Sequence, residues 1–285
     1  MIDINSLDKL IEDSENEILN IRPGTEKKII WANQKNVKTK ISLLFIHGFS
    51  ATRAELNPVI EILGKELNAN IFFTRLKGHG LDGESLAEAT FDEWMMDMKE
   101  AIEIVNIIGD KLILIGSSTG CSLIHTNLQY INNAAAVIYI SPNFGSKSYF
   151  GKLLIIPGAK WFIPFIFGKE YSYSSRSEDH ARFWTTSYPI KALFAVKDSV
   201  VAAYKVKHIK IEQPVLFYFS DDDQVVSAKA TRKIISKMGK NVSIHNPILN
   251  NTDDSFKHGV LGDILSSSQT KNGVTKILNW LENYI

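Results

Sequence analysis

The chain has 285 residues, 45% of them hydrophobic, enough for one large domain that buries roughly three quarters of the surface its unfolded form exposes. Thirty-two basic against 31 acidic residues leave a net charge of +1, which excludes a strong electrostatic pull toward nucleic acid or an anionic membrane. The single cysteine, Cys121, excludes an internal disulfide. With an acidic start, Met1-Ile2-Asp3-Ile4-Asn5, that lacks the basic and apolar regions of a signal peptide, it predicts a cytoplasmic protein.

Short apolar runs alternate with amphipathic segments, the pattern of a mostly parallel sheet covered by helices on both faces. An antiparallel pair is expected within 17–32, then strands near 41–46 and 70–74. Between those two, Leu56, Ile60, Leu63 and Leu67 recur at helical spacing and predict a helix over 53–67. Phe91, Trp94, Met98, Ala101, Ile102 and Val105 do the same for 91–107, ahead of a strand at 112–116. A helix over about 119–130 and strands near 136–140, 214–219 and 242–246 follow, with a helix near 228–238. A final helix is marked by Val274, Ile277, Leu278 and Leu281. Repeats, low-complexity tracts and flexible linkers are absent.

The run Leu112-Ile113-Leu114-Ile115 leads into Gly116-Ser117-Ser118-Thr119-Gly120, a G-x-S-x-G pattern between a strand and a helix. A serine displayed on so sharp a turn needs small residues two positions to either side, which makes Ser118 the candidate nucleophile. Ser117, its local rival, holds the wrong position of the motif. Upstream, Ile41-Ser42-Leu43-Leu44-Phe45-Ile46 runs into His47-Gly48-Phe49. Gly48 permits a tight turn there, so the amide N–H groups of Phe49 and Thr119 are candidates to hold a developing oxyanion, leaving the Phe49 side chain to line a pocket. Downstream, Asp221-Asp222-Asp223 follows the strand at 214–219, and His258 lies near the C-terminus.

From Phe144 to Tyr188 the alternation breaks, and these 45 residues hold twelve of the 29 aromatics. The most apolar part, from Leu153 to Phe167, is shorter than the about 20 apolar residues a membrane span needs, and two prolines, a glycine and a lysine interrupt it. Pro164 predicts a bent flap. Its aromatics either roof a pocket or pack the segment onto the body.

Taken together, these motifs resemble the α/β-hydrolase superfamily, and within it the serine esterases and monoacylglycerol-lipase-like carboxylesterases with a helical cap. Arg75-Leu76-Lys77-Gly78-His79-Gly80, Phe91-Asp92-Glu93-Trp94 and Lys257-His258-Gly259-Val260-Leu261 match further family segments. The resemblance implies an α/β-hydrolase fold, a single domain over 1–285 with a cap inserted over 144–200. It selects Asp223 over Asp221 and Asp222, since family members carry D-x-x-V or D-x-V-V there. It selects His258 over His47, His79, His125, His180, His208 and His245. The implied triad is Ser118, Asp223 and His258, with Trp161, Phe162 and Phe165 of the cap and Phe49 as acyl-binding residues. Ser220 departs from the glycine that family members often carry, leaving the acid loop open.

The implied activity is hydrolysis of a small-molecule carboxylic ester through an acyl-enzyme, with no cofactor, no nucleic-acid partner and no stable membrane insertion. His79 with Asp82, or His245 with Asp253 and Asp254, matches no closed metal-ligand set, and the glycine loops lack the phosphate-binding fingerprints. A serine aminopeptidase, an acyltransferase, a C–C hydrolase or a receptor without turnover remains open on the same residues. A peptidase needs a carboxylate for the substrate amine, for which Glu55, Glu170 and Glu178 are the candidates.

Overall fold

Nine strands and eleven α-helices form among the described residues, which in this computed structural model are 2–154, 156 and 158–285, without the side chains of Phe150, Lys152, Lys160 and Pro164. Ile155 and Pro157 of the expected cap stretch therefore lie outside the described residues. The strands are β1 (Lys28–Ile30), β2 (Thr39–Ile46), β3 (Asn70–Phe73), β4 (Gly109–Ser117), β5 (Ala134–Ile140), β6 (Glu170–Ser172), β7 (Ser187–Pro189), β8 (Val215–Tyr218) and β9 (Val242–His245). Seven of them form one sheet in the order β1-β3-β2-β4-β5-β8-β9, parallel throughout except for β1 against β3. β6 and β7 form a separate antiparallel pair.

The helices are α1 (Leu7–Asn16), α2 (Val59–Glu66), α3 (Gly83–Glu88), α4 (Phe91–Ile108), α5 (Thr119–Asn127), α6 (Tyr149–Leu153), α7 (Ala159–Phe167), α8 (Glu178–Phe183), α9 (Leu193–Lys205), α10 (Ala228–Ile235) and α11 (Asp263–Leu281). Because strand side chains alternate, β2 sends Leu44 and Ile46 to one face and Leu43 and Phe45 to the other. The first face meets Trp94, Met98, Ala101 and Val105 of α4. The second meets Val59, Ile60 and Leu63 of α2 with Val274, Ile277 and Leu281 of α11. Each large side chain so buried contributes roughly 1.5–3 kcal/mol. A capping box between Thr90 and Glu93 starts α4.

Three expectations need correction. Within 17–32 only β1 forms, and its partner is β3, because Pro23 lacks a donor and Gly24 turns the chain at φ 91° before a second strand can run. The helix expected over 53–67 is a 3-10 turn at Arg53–Leu56 followed by α2, since Pro58 forces Asn57 into an extended conformation (φ −60°, ψ 132°). Finally, α7 continues through Pro164 without interruption.

Between β5 and β8 the chain makes α6, α7, the β6–β7 pair, α8 and α9, with a small apolar cluster of Leu154, Ala159, Ile163 and Ile190. Phe144 at one end and Ala195 at the other belong to the main core. Among the described residues no helix is long and apolar enough to cross a membrane.

Candidate active site

Ser118 sits where β4 ends and α5 begins, with φ 48° and ψ −111°, a conformation that costs a non-glycine residue on the order of 1–3 kcal/mol. Hydrogen bonds hold it there. Its N–H donates to Ile140 O (2.9 Å), and its carbonyl accepts from Asn143 N–H (3.0 Å) and Cys121 N–H (3.1 Å). A Cβ on Gly120 would stand 2.1 Å from Ile46 O, and one on Gly116 would stand 2.8 Å from Cys121 N, so the motif's glycines answer to close packing of strand, turn and helix. Cys121 itself is buried and donates its thiol to Gly116 O.

The structure brings Ser118, His258 and Asp223 together. His258 Nε2 lies 3.1 Å from Ser118 Oγ, and His258 Nδ1 lies 2.7 Å from Asp223 Oδ2. Asp223 is 1% exposed, and its other oxygen, Oδ1, accepts from Val225 N–H (2.7 Å) and Val226 N–H (2.8 Å). Asp221 instead pairs with Arg232, and Asp222 is exposed. Ser220 fits the acid loop without a left-handed backbone, and its hydroxyl accepts from Asp222 N–H (3.1 Å), so no glycine is required there.

Burial pushes His258 down, but the Asp223 charge and hydrogen bond, with a contribution from Glu55, outweigh it and hold the imidazole above its ordinary 6.5. The loop carrying His258 is clamped by the buried carboxylate of Asp254, which accepts from the N–H groups of Phe256 (2.9 Å), His258 (2.9 Å) and Gly259 (2.6 Å). Arg176, from the segment between β6 and α8, pairs with the same carboxylate and covers the Phe256 ring at 4.9 Å. Ser141 Oγ donates to His258 O (2.5 Å). Sequence reasoning missed Asp254, Arg176 and Ser141. Asp254 drew attention there only as a paper metal ligand beside His245.

Gly48 turns the chain after β2 and donates its N–H to the buried Glu55 Oε2 (2.6 Å). Among the described residues neither Phe49 N–H nor Thr119 N–H has an acceptor, so both are available to a bound oxygen. The Phe49 ring is half-buried between His79 and Trp94 of the body and Tyr188 of β7. Ser50 is tied to the inserted segment through Thr185 N–H to Ser50 O (2.7 Å) and through the Tyr173 hydroxyl (3.0 Å). Of the aromatics expected in a cap, Phe162 is half-buried beside Ile163, whereas Trp161 is 79% and Phe165 92% exposed.

The remaining histidines have other partners. His47 contacts Gly48 O and accepts from Leu76 N–H, and His125 Nε2 meets His208 Nδ1 at 2.9 Å. Asp82 caps α3, and Asp253 accepts from Asn250, Ser268 and Gln269.

A nucleophile elbow, a buried Ser-His-Asp relay and two free amide donors on a mostly parallel sheet define a serine hydrolase of the α/β-hydrolase fold. The chain belongs to the family described as serine aminopeptidase, S33, whose model matches residues 37–247. That stretch takes in Ser118 and Asp223 and stops short of His258. The fold is similar to the metagenome-derived lipolytic enzymes LipS and LipT (17% identity, 92% of this chain and 99% of that one, TM-score 0.72). It is also similar to a monoacylglycerol lipase of Paleococcus ferrophilus (16%, 91% and 98%, TM-score 0.66) and to a soluble variant of monoglyceride lipase from Saccharomyces cerevisiae (15%, 91% and 91%, TM-score 0.64). No curated protein matches the sequence.

Proposed function

We propose that the protein is a carboxylesterase that cleaves small to medium apolar carboxylic esters through an acyl-enzyme. The observation that carries this reading is the continuous relay from Ser118 Oγ through His258 to the buried Asp223. In the proposed cycle His258 takes the proton of Ser118 as its oxygen attacks the ester carbonyl. Asp223 holds the imidazole in the tautomer with Nδ1–H and stabilises the imidazolium. The amides of Phe49 and Thr119 hold the oxyanion, and His258 Nε2 then protonates the leaving alcohol and activates water for deacylation. No step calls for a cofactor.

The segment over 144–200 acts in this reading as the cap, with Phe49 and Phe162 in acyl contact. Trp161 and Phe165, being exposed, reach an acyl chain only where it emerges from under α7. Two of the similar folds are monoacylglycerol lipases, which makes a monoacylglycerol a natural member of the substrate panel.

The second reading is the aminopeptidase of the family description. It needs a free carboxylate beside Ser118. Glu55 is committed to Gly48 N–H, and Glu170 and Glu178 are exposed, which favours the ester. The test is fluorophosphonate labelling, then p-nitrophenyl esters of graded length against aminoacyl p-nitroanilides. Ser118→Ala should abolish labelling and cost about 10⁴ or more in kcat. Retention of more than about a tenth of the activity would remove Ser118 as nucleophile, and anilide turnover exceeding ester turnover would select the peptidase.

A further inference from the structure

We propose that Glu55 is a positioning residue of this site, holding the oxyanion loop at Gly48 and setting a second buried negative charge next to Ser118, the partner of His258. The proposal rests on the triad reading above. Glu55 lies in the 3-10 turn Arg53–Leu56, seven residues beyond Gly48, and is 9% exposed. Its Oε2 accepts the Gly48 N–H at 2.6 Å. A Cβ on Gly48 would stand 2.9 Å from Glu55 Oε1 and 3.1 Å from Ser118 Cβ, so the carboxylate and the nucleophile flank one glycine.

A buried carboxylate is costly without compensation, and among the described residues Glu55 has no salt-bridge partner. Arg53, on the same turn, reaches instead toward Glu26 and the Phe73 ring. Burial raises the Glu55 pKa, and Gly48 N–H, the Ser117 hydroxyl and His258 oppose that rise. The groups facing His258 are Asp223 and Glu55, which favour its charge, and Arg176, which disfavours it. Tyr173 and Cys121 also feel the Glu55 charge.

Two consequences follow from this placement. By drawing the Gly48 N–H inward, Glu55 fixes the His47–Gly48 peptide, one unit before the one that carries the Phe49 N–H, and thereby helps aim that N–H toward Ser118. As a charge it stabilises the imidazolium that forms each time Ser118 gives up its proton.

Two variants separate these effects, read as kcat and kcat/KM for p-nitrophenyl acetate over pH 5 to 9, per site titrated with fluorophosphonate. Glu55→Gln keeps the size and the acceptor but removes the charge. Its acid-limb midpoint should fall by on the order of one pH unit, a readout that partial misfolding does not move. Glu55→Asp keeps the charge but withdraws the acceptor. Its midpoint should stay within a few tenths of the parent's while kcat drops about ten-fold with KM little changed. An unmoved midpoint in Glu55→Gln, or a parental kcat in Glu55→Asp, overturns the proposal. A Ser118→Ala protein that keeps its activity would overturn the triad reading instead, so the two failures are distinct.

Discussion

Asp223→Asn should abolish nearly all turnover through the direction its amide is forced to take. Asp223 Oδ1 accepts from two N–H donors, Val225 and Val226, at 2.7 and 2.8 Å. An asparagine must leave its oxygen there, because an NH2 group facing two N–H donors would forfeit both bonds in a site that is 1% exposed. Its NH2 then faces His258 Nδ1, 2.7 Å away in the parent. Nδ1 becomes an acceptor, the ring proton moves to Nε2, and the nitrogen 3.1 Å from Ser118 Oγ can no longer take a proton. A wrong tautomer with geometry intact costs about 10⁴ in kcat, or about 5 kcal/mol of transition-state stabilisation. The assay is kcat for p-nitrophenyl acetate per folded protein, with Asp221→Asn and Asp222→Asn as comparators. The Asp221 pair with Arg232 is on the surface and worth at most about 1 kcal/mol, so that variant should stay near parental activity. Asp223→Asn retaining more than about a tenth of the parental kcat, or Asp222→Asn proving the crippling change, would refute the reasoning.

Activity should rise with pH as His258 loses its proton, with the midpoint of kcat/KM above the ordinary 6.5 because Asp223 favours the charged ring; a midpoint below 6.5, or a flat profile from pH 5 to 8, would count against His258 as base. Folding stability should fall on acidification. Burial holds His47 at about 4, and burial with the neighbouring His208 holds His125 at about 3, whereas both take up protons near 6.5 once unfolded. The unfolded state therefore binds more protons below pH 6.5, and the deficit grows down to about pH 4 for His47 and about pH 3 for His125. At pH 5 each costs on the order of 2 kcal/mol relative to pH 7. His258 works against this trend, since its raised value adds stability that is present below 6.5 and lost as pH rises. Urea midpoints that coincide at pH 7 and pH 5 would refute the claim for the two buried histidines.

The features most legible in the sequence were those whose causes are contiguous. The elbow is one strand, one turn and one helix, and the demand for small residues at Gly116 and Gly120 is met within five positions. The sheet was legible for the same reason, since buried parallel strands are unbroken apolar runs. The residues around the triad are a different matter. Glu55 was singled out only as a carboxylate for a peptidase's substrate amine, and its bond to Gly48 N–H was not legible. The stripe of Leu56, Ile60, Leu63 and Leu67 predicts one continuous helix, whereas Glu55 lies in a separate 3-10 turn from which its carboxylate meets Gly48 N–H. Asp254 clamps three amides of its own loop and an arginine 78 residues away, a role set by the path of a loop that carries no periodic signal.

The segment proposed as the cap shows how far polarity can be read without direction. In α7 almost every residue is apolar, so the sequence offers no contrast from which a buried face can be inferred. The structure turns Ala159 and Ile163, four residues apart, inward at 3% and 0% exposure. Trp161 and Phe165, also four apart, are turned outward. The inward pair is held by Leu154 and Ile190, the latter next to β7, so the face is decided by a chain segment more than twenty residues away. An aromatic count marks the segment without giving the direction of its rings. In the proposed reading, which of its rings would meet an acyl chain depends on that distant packing, so Phe162→Ala, on the half-buried flank, is the variant expected to flatten the rise of kcat/KM from acetate to hexanoate esters; equal loss on both esters would refute acyl contact.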